Sequence, residues 1–427
     1  MYTKIGYFLR SSQPSSSYSA ATKECVIQVP STKDIEQMNS MPAGGSEDQR
    51  TRLMHMTQII KQMEKEHLSL LVTDTEHPNL SLEWKKLFAA LKTDDKESAL
   101  NFLAQIPKDD TVLQALLAVH TLKYVQQLVG YSIQAHANGA QKLNSDITIT
   151  SGTFEVLVKD MAATLFSAAK TCFSFGLPTH HAFDDKGSGF CVLDKTSILI
   201  KYIASKYQSP LKIIIAGTDV NRDNGLSYNL HKLAIDLDIC HLDAFDSRVY
   251  PRQNYQDINT AMGSEGKDAG RQIRYWHQGT LNYFAVDLSL VTRKKDSLHP
   301  ALAFILEKIE EQMSNATIKG HKIALFLPTG WDSHEEETAD CGKYIDGQMM
   351  SAEEARKTRF SDEDLRQFYE RIFELYNEHK ESIVCMYWGL EGGYSRPMYE
   401  KQIQLMLSLV LEKLIPQDES RNTLGRL

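Results

Sequence analysis

In the second half of the chain three short apolar runs, Lys212–Ala216, Lys322–Leu327 and Ser382–Trp388, alternate with stretches of helical period at Leu298–Met313, Asp362–Asn377 and Tyr399–Leu414. A run that is apolar at nearly every position is buried on both faces. A helical segment between two such runs is the crossover that parallel strands require. The alternation predicts a three-layer α/β fold, with a mainly parallel sheet of about eight strands and helices on both faces. Upstream, Arg52–Glu64, Ser81–Leu91, Asp95–Leu103, Val112–Leu128 and Thr153–Phe173 read as helices, and Thr3–Leu9 as a first strand. The 427 residues contain no internal repeat and read as a single domain, 1–427. A Ser-rich segment, 11–22, is expected to be mobile, and 416–427 to form a polar tail.

Composition removes several functional classes. A net charge of −8 argues against a general nucleic-acid or membrane-surface binder. No apolar run approaches the roughly 18 residues of a membrane span. The six cysteines form no C-x-x-C pair, so neither a zinc knuckle nor a disulfide framework is expected, and a reducing, cytoplasmic location is the default.

Chemistry-bearing residues gather where the apolar runs end. The run Ile213–Ala216 gives way to Thr218-Asp219-Val220-Asn221, the next to Thr329-Gly330-Trp331-Asp332, and the last to Leu390-Glu391-Gly392-Gly393-Tyr394. Asp219 and Asn221 are two apart and project to one side of an extended chain. With Asp332 they could form a three-ligand metal site with open coordination positions. His180 and His181, in Leu177–Phe183, supply acid/base groups, and Tyr394 a phenolic donor. Singly, each has an ordinary reading: a strand-end Asp turns the chain or caps a helix, and Gly-Gly-Tyr is a turn with a packed ring.

Together and in this order the segments resemble the histone deacetylase and acetylpolyamine amidohydrolase family, within the arginase/deacetylase fold. Asp109–Val125 looks like its helix with a Val-His-x-x-x-Tyr pattern, and Thr150–Glu155 is similar to its Gly-Thr-Tyr-Glu helix start. Leu177–Phe183 followed by Ser188-Gly189-Phe190-Cys191 resembles its Pro-Gly-His-His-Ala and Gly-Phe-Cys segments. Asp219–Gly225 stands where the family has Asp-Val-His-His-Gly-Asn-Gly. Gly330–His334 is close to Gly-Phe-Asp-Ala-His, and Leu390–Tyr394 matches Leu-Glu-Gly-Gly-Tyr.

The resemblance implies a zinc-dependent amidohydrolase that removes acetyl groups from lysine side chains of proteins or peptides, histones among them. A histone substrate would place the protein in a nucleus or host cell. It implies zinc ligands Asp219, Asn221 and Asp332, a proton-transfer pair His180 and His181, and Tyr394 as oxyanion donor. It also implies aromatic pocket walls at Phe190 and Tyr250, a carbonyl from Gly189 for the amine, and a rim carboxylate at Asp146. Two departures weaken the match. Asn221 replaces a His ligand, which implies weaker zinc binding. Gly217 replaces an Asp that orients the first His and helps to hold a structural monovalent cation, so that cation is not expected. Asn224 matches one family variant of the second His's partner, while Arg222 replaces the second His of His-His-Gly. The alternative is a catalytically impaired relative that binds acylated lysine, or a partner protein, without turnover. Two-manganese arginase chemistry would need a further carboxylate where the chain reads Asp332-Ser333-His334.

Overall fold

A computed structural model describes residues 25–37, 49–67, 70–75, 79–167, 170–207, 210–252, 254–270, 273–291, 293, 297–337, 348 and 350–415. The expected strand Thr3–Leu9, the Ser-rich segment and the C-terminal tail lie outside the described residues. In chain order the strands are β1 (Cys25–Val29), β2 (Val72–Asp74), β3 (Gln141–Lys142), β4 (Thr148–Ile149), β5 (Thr171–Ser174) and β6 (Leu211–Gly217). They continue with β7 (Asp238–Phe245), β8 (Lys267–Asp268), β9 (Ile273–Gln278), β10 (Leu281–Asp287), β11 (Lys322–Thr329) and β12 (Ile383–Leu390).

Ten of these form one sheet in the order β2-β1-β5-β12-β11-β6-β7-β10-β9-β8, and β3 and β4 pair separately. From β2 to β10 every neighbouring pair is parallel. The expected parallel sheet is therefore present, extended at one edge by antiparallel β9 and β8. The short edge hairpin buries only Ile273 and Trp276 in its two strands, so apolar patterning does not announce it.

Side chains alternate across the sheet as a strand period requires. On β6, Ile213 and Ile215 join one core while Ile214 and Ala216 join the other. The first core is covered by helices Leu82–Ala90, Leu122–Asn138, Thr153–Phe166 and Lys195–Lys206, the second by Pro300–Ile318, Asp362–Glu378 and Arg396–Lys413. Two helical readings are corrected. Val112–Leu128 is broken into Thr111–Leu117 and a second helix, because Thr121 caps that second helix through its hydroxyl, which accepts from Tyr124 N at 3.2 Å. Thr153–Phe173 ends as a helix at Phe166, and Thr171–Ser174 pairs as β5 between β1 and β12, where tertiary pairing overrides local propensity.

Candidate active site

β5, β12, β11 and β6 are consecutive neighbours in the sheet, and their carboxyl ends carry the four segments singled out from the sequence. Adjacent strand ends are tied across: Thr218 N donates to Pro328 O at 3.1 Å, Glu391 N to Thr329 O at 2.7 Å, and Trp331 N to Gly392 O at 3.2 Å. The topology thus gathers residues more than 200 positions apart into one buried corner.

Asp219 and Asp332 form that corner. Asp219 Oδ2 accepts from Gly392 N at 2.9 Å and Oδ1 from Asn221 N at 2.7 Å, while Asp332 Oδ1 accepts from Val220 N at 3.2 Å. A β-carbon on Gly330 would sit 2.6 Å from Asp332 Oδ1 and would overlap Asp219 Oδ2, and one on Gly392 would overlap Asp332 Oδ2. Both glycines are needed for the carboxylates to face each other. Burial, and after it the charge of Asp332, hold the Asp219 carboxyl well above the usual carboxylate range. A cation between the two would relieve that repulsion. Asn221 stands beside them, but its Nδ2 donates to the Tyr250 carbonyl at 2.7 Å. The amide oxygen is then the atom left to offer a metal, which makes the donor set hard and all-oxygen. The corner fits a divalent cation. His334 is held elsewhere, with Nε2 3.1 Å from Asp362 Oδ1 and Nδ1 accepting from Glu336 N.

The His180 and His181 rings lie with centroids 3.9 Å apart and planes tilted by 38°, and both are buried. The backbone entering the pair is clamped by Glu391, whose carboxylate accepts from Thr179 N, from Thr179 Oγ1 at 2.7 Å and from His180 N at 3.2 Å. His180 Nε2 lies 3.8 Å from Asp219 Oδ2, and its Nδ1 lies 2.8 Å from Asp223 Oδ1. His181 Nδ1 donates to Asn224 Oδ1 at 2.5 Å, the partner that the resemblance implies. The two rings are driven apart in basicity. For His180, burial opposes the charge, but Asp219, Asp223 and Glu391 outweigh it and raise its pKa well above the ordinary value. For His181, burial and the neighbouring His180 lower it well below.

Gly189 and Phe190 have φ of 49° and 66°, and Ser188 and Cys191 exchange both backbone hydrogen bonds at 3.0 and 2.8 Å. This is a tight turn of the type that demands left-handed residues at both centres. It places the Phe190 ring 6.2 Å from that of Tyr394. Tyr250 stands edge-on to His181 at 4.9 Å and is partly exposed, and its hydroxyl is bonded to Ser188. A β-carbon on Gly189 would lie 2.5 Å from His181 Cδ2, so Gly is required there for close approach as well as for conformation. Tyr394 packs with Val220, Val249 and Phe190, and the amide of the same Val220 donates to Asp332. Asp146 sits at the outer edge, turned by Asn144, whose Oδ1 accepts from Asp146 N at 2.9 Å and whose Nδ2 reaches Gly187 O at 3.0 Å.

Three residues here have no counterpart in the sequence reading. Arg52 is buried and donates to the carbonyls of Glu391 and Gly392 at 2.8 and 3.1 Å, with its guanidinium 4.9 Å from the Tyr394 ring centre. Glu337 accepts from Tyr394 N at 2.6 Å and Ser395 N at 3.0 Å, fixing the loop from the other side. Asp223 is the partner of His180. The signal for Arg52 was a charged residue one position from the apolar stripe of its helix; nothing local marked Glu337. Arg222, by contrast, points away from the corner, to Asp257, Asn254 O and Tyr283.

A mostly parallel doubly wound sheet with paired carboxylates and a histidine pair at its strand ends defines an α/β protein of the arginase/deacetylase type. The chain belongs to the histone deacetylase family: the family model described as "Histone deacetylase domain" matches residues 77–410. It is 22% identical over 261 residues to Histone deacetylase clr3 of Schizosaccharomyces pombe, covering 55% of this chain and 37% of that protein. It is 25% identical over 148 residues to Acetoin utilization protein AcuC of Bacillus subtilis, covering 32% of this chain and 37% of that protein. Each alignment thus spans little more than a third of the curated relative. The solved HDA15 HD domain superposes with a TM-score of 0.55 at 12% identity, over 92% of this chain and 91% of that one, a likeness of fold.

Proposed function

We propose that the protein is a zinc-dependent amidohydrolase that removes acetyl groups from lysine side chains of proteins or peptides, histones among the candidate substrates. One observation carries this reading: Asp219, Asp332, His180, His181 and Tyr394 gather at neighbouring strand ends, with the Phe190 ring beside Tyr394 and the Tyr250 ring beside His181. A binder has no need of an acid/base pair and a phenol around paired carboxylates. Family membership supports deacetylation as the reaction class.

Asp219, Asp332 and the Asn221 amide oxygen would hold zinc, which when bound polarises the amide carbonyl and makes the attacking water more acidic. The residues' own parts follow from their bonds. His181, with its Nδ1 proton on Asn224, presents a bare Nε2 that takes the proton from water as the water oxygen bonds to the carbonyl carbon. His180, held through Nδ1 by Asp223, would be the second member of the proton-transfer pair. Tyr394 donates its hydroxyl proton in a hydrogen bond to the oxyanion. When the C–N bond breaks, the His181 proton goes to the leaving amine, giving acetate and a free lysine. Phe190 and Tyr250 would flank the methylene stem, Gly189 would accept from the amine, and Asp146 would grip the peptide backbone at the rim.

The second reading, a site that binds acylated lysine without turnover, is favoured by the Asn221 amide being turned onto Tyr250. Acetate release from an acetyl-lysine peptide, measured on protein stripped with chelator and reloaded with zinc, separates the two. Turnover restored by zinc is expected. Peptide binding with no acetate released by protein of verified zinc content would leave the binding reading.

A further inference from the structure

Gly217 is one of the site's two departures from the pattern it resembles, and the space beside it is filled. A β-carbon there would overlap Asp223 Oδ2 and lie 3.3 Å from Oδ1. Asp223 occupies the N-cap position of helix Asn224–Leu233 yet its side chain caps nothing. An N-cap Asp ordinarily turns its carboxylate onto its own helix's first amides. Here the carboxylate turns across the strand end instead: Oδ1 is 2.8 Å from His180 Nδ1, and Oδ2 is 3.1 Å from His241 Nε2. The Asp223 amide donates to Asp243 Oδ2 at 3.0 Å, and that oxygen also accepts from Tyr283 Oη at 2.6 Å. Asp223, His241 and Asp243 are all buried.

We infer that Asp223, backed by His241, is the positioning residue for His180, and that Gly217 is the vacancy that lets its carboxylate reach across. The inference rests on the proposed hydrolysis only for its kinetic readout. Its logic is reciprocal: the pattern that the chain resembles implies an Asp at 217 and a Gly at 223, whereas this chain has Gly217 and Asp223. The orienting carboxylate has moved from the end of β6 to the start of the following helix, and both positions cannot carry a side chain at once. His241 gives the relocated group its rigidity. It lies within β7, and its ring packs at 5.0 Å on Tyr283 and 5.8 Å on His231. Held at Oδ2 by one imidazole, the carboxylate keeps Oδ1 aimed at the other. An orienting partner fixes the tautomer and the plane of an imidazole, and its loss typically costs about 10–100-fold in activity.

The test uses three variants of the full chain: Asp223→Gly, Gly217→Asp, and the exchange of both. Asp223→Gly takes no cap from the helix, so folding should persist. It should lower kcat about 10–100-fold with KM within about threefold. Gly217→Asp alone should be impaired, because its side chain meets Asp223. The exchange should regain most of the lost kcat, which a merely structural role for Asp223 would not allow. A second readout does not depend on turnover. The downfield proton resonance of His180 Nδ1, assigned by its disappearance in His180→Ala, should vanish in Asp223→Gly and return in the exchange. If wild type hydrolyses nothing but these NMR changes occur, the proposed reaction fails and the positioning stands. If Asp223→Gly keeps both its kcat and the resonance, or the exchange restores neither, the inference is overturned.

Discussion

The Asn221 side chain and the Tyr250 backbone are joined by one hydrogen bond, Nδ2 to O at 2.7 Å, which links the strand-end corner to the loop carrying the aromatic wall. In the proposed site the same residue has a ligand's position. The bond therefore pulls the third ligand toward the pocket wall while Asp219 and Asp332 stay face to face.

Replacing Asn221 by His should tighten zinc. Imidazole nitrogen is among zinc's preferred donors, and the exchange leaves the formal charge unchanged. Zinc affinity, measured by competition with a fluorescent chelator, should rise at least about tenfold, or roughly 1.4 kcal/mol. Unchanged affinity would mean that position 221 does not touch the metal.

Tyr394→Phe leaves the ring to pack on Val220, Val249 and Phe190 and removes only the hydroxyl. Losing one preorganised oxyanion donor costs about 10²–10³ in turnover. Acetyl-lysine hydrolysis should fall by that order, with peptide affinity little altered. Equal rates in mutant and wild type would take Tyr394 out of the chemistry.

Asp332→Asn tests the repulsion in the corner. The amide oxygen can still accept from Val220 N, and the charge that raises the Asp219 carboxyl disappears. Metal-free protein should then melt roughly 1–3 °C higher than wild type, the gain expected when a functional site's strain is removed. Added zinc should no longer raise its Tm. A variant less stable without metal, or still stabilised by zinc, contradicts the assignment.

His120 gives a pH dependence that does not involve the paired carboxylates. Its Nε2 accepts from Asp194 N at 2.9 Å, and burial lowers its pKa from 6.5 to about 4. The folded chain keeps the ring neutral while the unfolded chain protonates it below 6.5, so its contribution is complete above that value and is lost as pH falls toward 4. Between about pH 7 and pH 5 this amounts to roughly 2 kcal/mol. His120→Gln keeps an acceptor for Asp194 N and does not titrate. Urea unfolding at the two pH values should show the variant losing less stability on acidification by about that amount. Equal losses would show that the ring already ionises in the folded protein.

Local chemistry was enough for much of this protein. Apolar runs in β6, β11 and β12, with helical segments between them, force a parallel sheet, because strands buried on both faces leave no other way to cover their surfaces. Asp219, Asp332 and Tyr394 could be singled out as candidates because strand carboxyl ends are where such a sheet opens. Tertiary structure decided what depends on distant partners. β5 was hidden in a helical run, since only β1 and β12 make Thr171–Ser174 a strand. Arg52 reads as an ordinary surface charge until the Glu391–Gly392 carbonyls, 339 and 340 residues away, take its guanidinium. Gly217 reads as the loss of a carboxylate, and the spacing of the chain does not say otherwise. Only the turn after β6, folding Asp223 back between His180 and His241, puts a carboxylate where a strand residue would have held it.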